Sequence, residues 1–173
     1  MGWPDIFLSV ATGFLGSLLV VLFLYTLRPR IEISREISEQ TSESGPSYGF
    51  KMINKTPYPI FDVQVIIELI TPKSVPGGQI VFTRRLDLPK DKFIIVQKFN
   101  KSDPEAKYAF RVRTTEKLRE IRTAESQYLR VSVLARHAMS GFYGVFQQSY
   151  FTRGDIKVGS HQYGIGMHIQ PVV

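Results

Sequence analysis

The 173-residue chain contains no cysteine, which excludes a disulfide framework, a thiolate nucleophile and a thiolate zinc site. Histidine is scarce too: His137, His161 and His168 show no His-Glu-x-x-His spacing, and each reads as a surface or strand histidine rather than a metal ligand. There is no Gly-x-Ser-x-Gly elbow and no phosphate loop ending in Gly-Lys-Ser/Thr. The acidic side chains are outnumbered, 15 against 22 Lys and Arg, and they sit among basic neighbours, as at 87–92 and 116–120, in the manner of a solvated surface. These absences predict no catalytic residues, no metal and no cofactor; the chain reads as a non-enzyme. The net charge of +7 has no nucleic-acid-binding signature beside it, so nucleic acid is not expected as a partner.

Charge is also missing from one long stretch. Residues 6–27 contain no charged side chain and are rich in Leu, Val, Phe and Ile. At about 1.5 Å per residue the run is long enough for a hydrocarbon core of about 30 Å, so it is expected to cross a membrane once. Trp3 and Tyr25 stand where amphipathic rings favour the two interfaces, and Arg28 and Arg30 follow as anchors at the anionic headgroups. A cleaved signal peptide fits poorly, because the chain opens Met-Gly-Trp-Pro-Asp with no positive n-region. Every Lys and Arg lies at or after Arg28. The positive-inside bias therefore puts the N-terminus outside and the remainder in the cytoplasm. Gly13, Gly16 and Ser17 share a helical face on which a second helix could approach closely. The expected organisation is a short extramembrane segment at 1–5, a transmembrane helix at 6–27 and a soluble domain at 28–173.

The soluble part alternates with a period of two between clusters of Gly, Pro, Asn, Asp and Ser, the pattern of an all-β sandwich of antiparallel strands. The clearest strand is 61–70, with Phe61, Val63, Val65, Ile67 and Leu69 expected to face the core, followed by 108–113 and 129–136. Weaker strands are expected at 30–38, 48–54, 80–86, 93–99, 142–151 and 163–169. Ser140 and Gly141 suit a hairpin, the Pro76-Gly77-Gly78 run a longer turn, residues 115–126 a short helix, and the polar segment 39–47 a loop. The aromatics Phe142, Tyr143, Phe146, Tyr150, Phe151 and Tyr163 read as core more readily than as a ligand pocket. Asn54 and Asn100 head triplets of the glycosylation-acceptor form.

Several short matches occur in order. They are Arg28-Pro29-Arg30-Ile31-Glu32-Ile33-Ser34 after the helix, Phe50-Lys51-Met52-Ile53-Asn54, Arg85-Leu86-Asp87-Leu88, Asn100-Lys101-Ser102-Asp103-Pro104, Ser149-Tyr150 and Gly154-Asp155-Ile156 with Gly159. Together they resemble the cytoplasmic domain of inward-rectifier potassium channels over about residues 27–161, although Val158 stands where that family has Trp. The resemblance implies an immunoglobulin-like β sandwich that assembles as a tetramer, with Arg28 and Arg30 at positions that bind phosphoinositide headgroups. It does not carry over conduction, because the chain lacks the outer helix, pore helix and carbonyl-lined filter that a potassium pore requires. The expected function is a membrane-anchored interaction or assembly module whose partners are membrane lipids, its own copies, or another membrane or cytoplasmic protein. Two alternatives stand beside it: a ligand-sensing effector whose helices perturb or permeabilise the membrane, and an exported sandwich of the cell envelope.

Overall fold

In the computed structural model, which describes residues 2–42 and 45–171, the apolar run forms helix α1 (Trp3–Thr26). It begins at Trp3, which therefore lies in its first turn, ahead of the apolar stretch Phe7–Thr26. Among the described residues none of that stretch is buried by the rest of the chain, and only Leu24 is half-buried. The hydroxyls of Thr12, Ser17 and Thr26 donate to carbonyls of the helix itself, to Leu8 at 2.9 Å, Gly13 at 2.9 Å and Phe23 at 2.7 Å. These three hydroxyls are therefore satisfied within the helix, as an apolar solvent demands.

The remainder is two packed, mostly antiparallel sheets. The first is built on β3 (Gly45–Asn54), which pairs with β7 (Ala109–Thr114) on one edge. Its other edge carries β1 (Ile31–Ile33) and β2 (Ile37–Ser42), and β10 (Ile156–Val158) lies outside β2. The second is built on the long β4 (Ile60–Val75), flanked on one side by β8 (Tyr128–His137) and then β9 (Tyr143–Tyr150). Its other side carries β5 (Gly78–Arg85) on its far half and β6 (Lys92–Val96) on its near half. A small third pair joins β11 (Ser160–His161) to β12 (Ile169–Gln170). The β2–β10 pair is parallel, so the expected antiparallel pattern fails at that one position. There the chain crosses from the second sheet to the first through a short 3-10 turn, Arg153–Asp155.

Ile37, Tyr48, Phe50, Met52, Val63, Val65, Ile67, Val112, Val131, Val133 and Tyr150 fill the space between the sheets. Phe50 and Tyr150 meet edge to face at 5.9 Å, and the Tyr150 hydroxyl donates to the Ser34 carbonyl at 2.5 Å. That bond ties β9 to the bend at residues 34–36, which splits the single strand expected at 30–38 into β1 and β2.

Several expectations are corrected. In β4 the alternation holds from Val63 to Leu69, but Phe61 is only half-buried and Ile60 takes its place in the core. The register against β8 shifts between Phe61 and Gln64, where Asp62 adopts φ 51°, and this bulge reverses the phase before it. The segment 39–47 is a strand pair, β2 with β3, not a loop, with residues 43–44 outside the described residues. Pro76 and Gly77 alone connect Val75 to Gly78, and Gly77 at φ 92° supplies the positive angle of a tight turn. Only Leu118–Ile121 of 115–126 is helical, forming α2. The strand expected at 163–169 is a series of turns that reaches extended structure only at Ile169. Of the six aromatics expected in the core, Tyr150 is buried and Phe146 half-buried, while Phe142, Tyr143, Phe151 and Tyr163 are exposed.

Candidate functional site at the helix end of the domain

The exit from α1 is clamped to the sandwich rather than left as a tether. Leu27 N donates to Leu24 O at 3.0 Å, closing a last turn, and the Leu27 carbonyl accepts from Ser140 Oγ at 2.5 Å. A helix C-terminus leaves carbonyls without partners, and Ser140 supplies one. Pro29 is buried beside Gly144, Arg30 N donates to Thr56 Oγ1 at 2.8 Å, and Lys55 N donates to Arg30 O at 2.7 Å. Two loops thus fix the backbone of residues 27–30.

Ser140 is itself held by its turn. His137 Nδ1 accepts from the backbone N–H groups of Met139 and Ser140, both at 3.3 Å. An Nδ1 that accepts leaves the proton on Nε2, and Nε2 is buried with no hydrogen-bond partner among the described residues. Burial holds the His137 pKa below its ordinary value, which keeps the imidazole in the neutral form this turn requires. Gly141, at φ 71°, closes the hairpin with its N–H on His137 O at 3.0 Å.

Of the residues singled out in the sequence, Arg28 and Arg30 are both exposed at this junction, with the Arg28 guanidinium 3.2 Å from the Tyr25 ring centroid. Trp3 and Tyr25 lie near opposite ends of α1, about 33 Å apart along its axis at 1.5 Å per residue. Gly13, Gly16 and Ser17 are exposed, and no atom lies within 4 Å of where a Cβ would sit on either glycine. The Ser17 hydroxyl is already used within the helix.

Beside the junction, a cleft of about 550 Å³ is lined on one wall by Val21, Tyr25, Arg28 and Pro29 and on the other by residues 142–146 of the β8–β9 hairpin. A larger cleft of about 730 Å³ continues along the open seam between β1 and β9. No family model and no curated protein matches this chain. Among the described residues no cluster of three or more His, Asp or Glu could hold a metal ion.

The ionisable groups that sequence reasoning missed lie away from this end. Lys51 is fully buried, and its ammonium donates to the carbonyls of Gln162, Gly164 and Gly166 at 2.6, 2.7 and 2.6 Å. Three donors meet three acceptors. Burial, with the charge of Arg111 beside it, pushes the Lys51 pKa down to about 8. Arg122, also buried, donates to the carbonyls of Thr152, Gln127 and Phe151 at 2.9, 2.9 and 2.5 Å. Glu39 accepts from Arg119 at 2.7 Å and from the Tyr48 hydroxyl at 3.0 Å. The Arg119 hydrogen bond holds Glu39 below the ordinary carboxylate range, while burial pushes Tyr48 up to about 12. These are internal fastenings. The one signal for Lys51 was its place in an otherwise apolar strand, between Phe50 and Met52.

Asn54 is also accounted for internally: its side-chain amide is buried and donates to Tyr58 O at 3.0 Å and Gln97 O at 2.9 Å. It cannot accept a glycan in the folded domain. Asn100 is exposed.

At the opposite end from α1 the sheet edge is apolar and open. β4 leaves the helix end at Ile60, beside His137, and beyond Ile70 its only strand partner among the described residues is β5. Every residue of β5 is exposed, including Ile80, Val81 and Phe82; nearer the helix end on the same side of β4, Ile94 and Ile95 of β6 are exposed as well.

Proposed function

We propose that this chain is a single-pass, non-enzymatic membrane protein whose immunoglobulin-like sandwich serves as an interaction module on the cytoplasmic face. The observation that carries the reading is the free edge of β5, where Ile80, Val81 and Phe82 are solvent-exposed on a strand that nothing pairs on its outer side among the described residues. An open, apolar edge is a template on which an extended segment of another chain adds as a further strand. α1, long, apolar and not buried by the rest of the chain among the described residues, supplies the anchor. The Gly13, Gly16 and Ser17 face is where copies would meet in the membrane, and Arg28 and Arg30 are where anionic headgroups would collect. On this reading the likeness to inward-rectifier channels is one of the domain alone, without a pore.

The test places a photo-crosslinking residue at Val81 or Phe82 in the full-length chain in native membranes, with the same residue at Glu125 as control. Adducts of discrete mass from 81 and 82, absent from 125 and suppressed by Phe82→Lys, are the expected result. Equal or absent cross-linking at all three positions would remove the edge as an interaction surface. Proteolysis of sealed vesicles of known sidedness tests the cytoplasmic placement, since protection on that side would reverse it. The permeabilising reading is weakened by the internal hydrogen bonds of the α1 hydroxyls, which leave Thr12, Ser17 and Thr26 no donor for a conducting path.

A further inference from the structure

We propose that the β8–β9 hairpin is a second membrane contact, with Phe142, Tyr143 and Val145 lying in the interfacial layer of the leaflet from which α1 emerges. The inference rests on the reading of α1 as a transmembrane anchor and goes beyond it. The cleft beside the junction has Val21 on one wall. Val21 lies six residues before Leu27, about 9 Å back along the helix axis at 1.5 Å per residue. A cleft that reaches Val21 reaches into the bilayer whenever α1 spans it, and the hairpin residues forming the other wall face the stretch of chain between Val21 and Pro29, where the helix leaves it. The hairpin cannot swing away freely, because Ser140 Oγ holds the Leu27 carbonyl at 2.5 Å and Pro29 is buried beside Gly144.

The side chains match that location. Met139, Phe142, Tyr143 and Val145 are 59%, 42%, 63% and 62% exposed, a run of apolar surface with no cover from the rest of the chain among the described residues. The outward row of β9 changes character with distance from α1: Tyr143 and Val145 come first, then Gln147. Apolar residues stop where the strand leaves the helix. Among the described residues that line the cleft, Arg28 alone is charged, and it is a cation. Aromatic and aliphatic side chains beside a cation are what the boundary between acyl chains and anionic phosphates accommodates. The surface therefore fits a lipid bilayer rather than a protein groove, and two contacts rather than one would set the tilt of the sandwich against the membrane.

The test uses the full chain carrying Trp3→Phe, which removes its only tryptophan. New single tryptophans are introduced as Tyr143→Trp, Phe142→Trp or, at the far end of β9, Phe151→Trp. Each protein is reconstituted into phosphatidylcholine vesicles containing a fifth phosphatidylserine, with or without lipids brominated near the headgroup end of the acyl chain. The tryptophans at 143 and 142 are expected to emit at shorter wavelength than that at 151 and to lose at least half their intensity to the brominated lipid, with the one at 151 unaffected. Emission and quenching at 143 and 142 equal to those at 151, in protein that still resists alkaline extraction, would overturn the hairpin contact and leave the anchor standing. Release of the whole chain by alkaline extraction would overturn both.

Discussion

His161 offers the sharpest test of the packing. It is 5% exposed, with Nε2 3.1 Å from the Glu36 carbonyl and 3.2 Å from Ser34 Oγ. Burial lowers its pKa from 6.5 to about 4, and the nearby charges of Lys51 and Arg111 act in the same direction against the hydrogen bond to Glu36. Between these two values the unfolded chain binds a proton at this site and the folded chain does not. The stability is therefore fully present above pH 6.5 and falls as pH drops toward 4. Taking the two values, the loss from this group alone is about 2 kcal/mol at pH 5 and tends to about 3 kcal/mol below pH 4. For a domain of this size that is about 1 M in the urea midpoint. The assay is urea unfolding of the full chain in mild detergent at pH 7.5 and pH 5, for the native protein and His161→Gln, whose amide can still donate to the Glu36 carbonyl. The variant is expected to lose about 2 kcal/mol less than the native protein over that interval. His137 shifts in the same direction but is common to both proteins, so equal losses in the two would refute the assignment to His161.

Lys51→Met should cost about 3 to 5 kcal/mol by leaving three buried carbonyls without their cation, and limited proteolysis should then cut within 162–171 while the two sheets stay resistant. Gly159 adopts φ 136°, and a Cβ there would run into the Gln170 carbonyl. Gly159→Ala is therefore expected to destabilise by more than about 2 kcal/mol in the same unfolding assay and to loosen the β11–β12 pair. Ser140→Ala should cost only about 1 kcal/mol but broaden the distance distribution between spin labels on α1 and β9, measured by pulsed electron resonance. A distribution as narrow as the native one would show that Ser140 does not fix the joint.

Much of this architecture was legible from local pattern. The apolar run of α1 and the alternation of Val63, Val65, Ile67 and Leu69 depend only on neighbours in sequence. What was not legible depended on partners far along the chain. Residues 39–47 look like a loop because Glu39 is an acid in a polar stretch, yet Glu39 is buried against Arg119, 80 positions away, and Tyr48. Residues 163–169 alternate like a strand, but their carbonyls turn inward to meet Lys51. Phe61 was misassigned because no pattern announces that Asp62 will take a positive φ and insert a bulge. The helix-end site was half legible. Arg28, Arg30 and Tyr25 could be named from the sequence, but nothing in it says that Ser140 would hold Leu27, 113 positions earlier.

The three-carbonyl seat of Lys51 also imposes an order of events on a newly made chain. The carbonyls come from residues 111, 113 and 115 positions downstream of the lysine. Until those residues are made the ammonium has no seat: β3 can pair with β7 and send Phe50 and Met52 into the core, while Lys51, on the other face of the strand, stays open to solvent. Burying that charge waits for the segment around 162–166 to be synthesised. A chain arrested before that point carries an unburied cation in the middle of its central strand, a built-in mark of incompleteness.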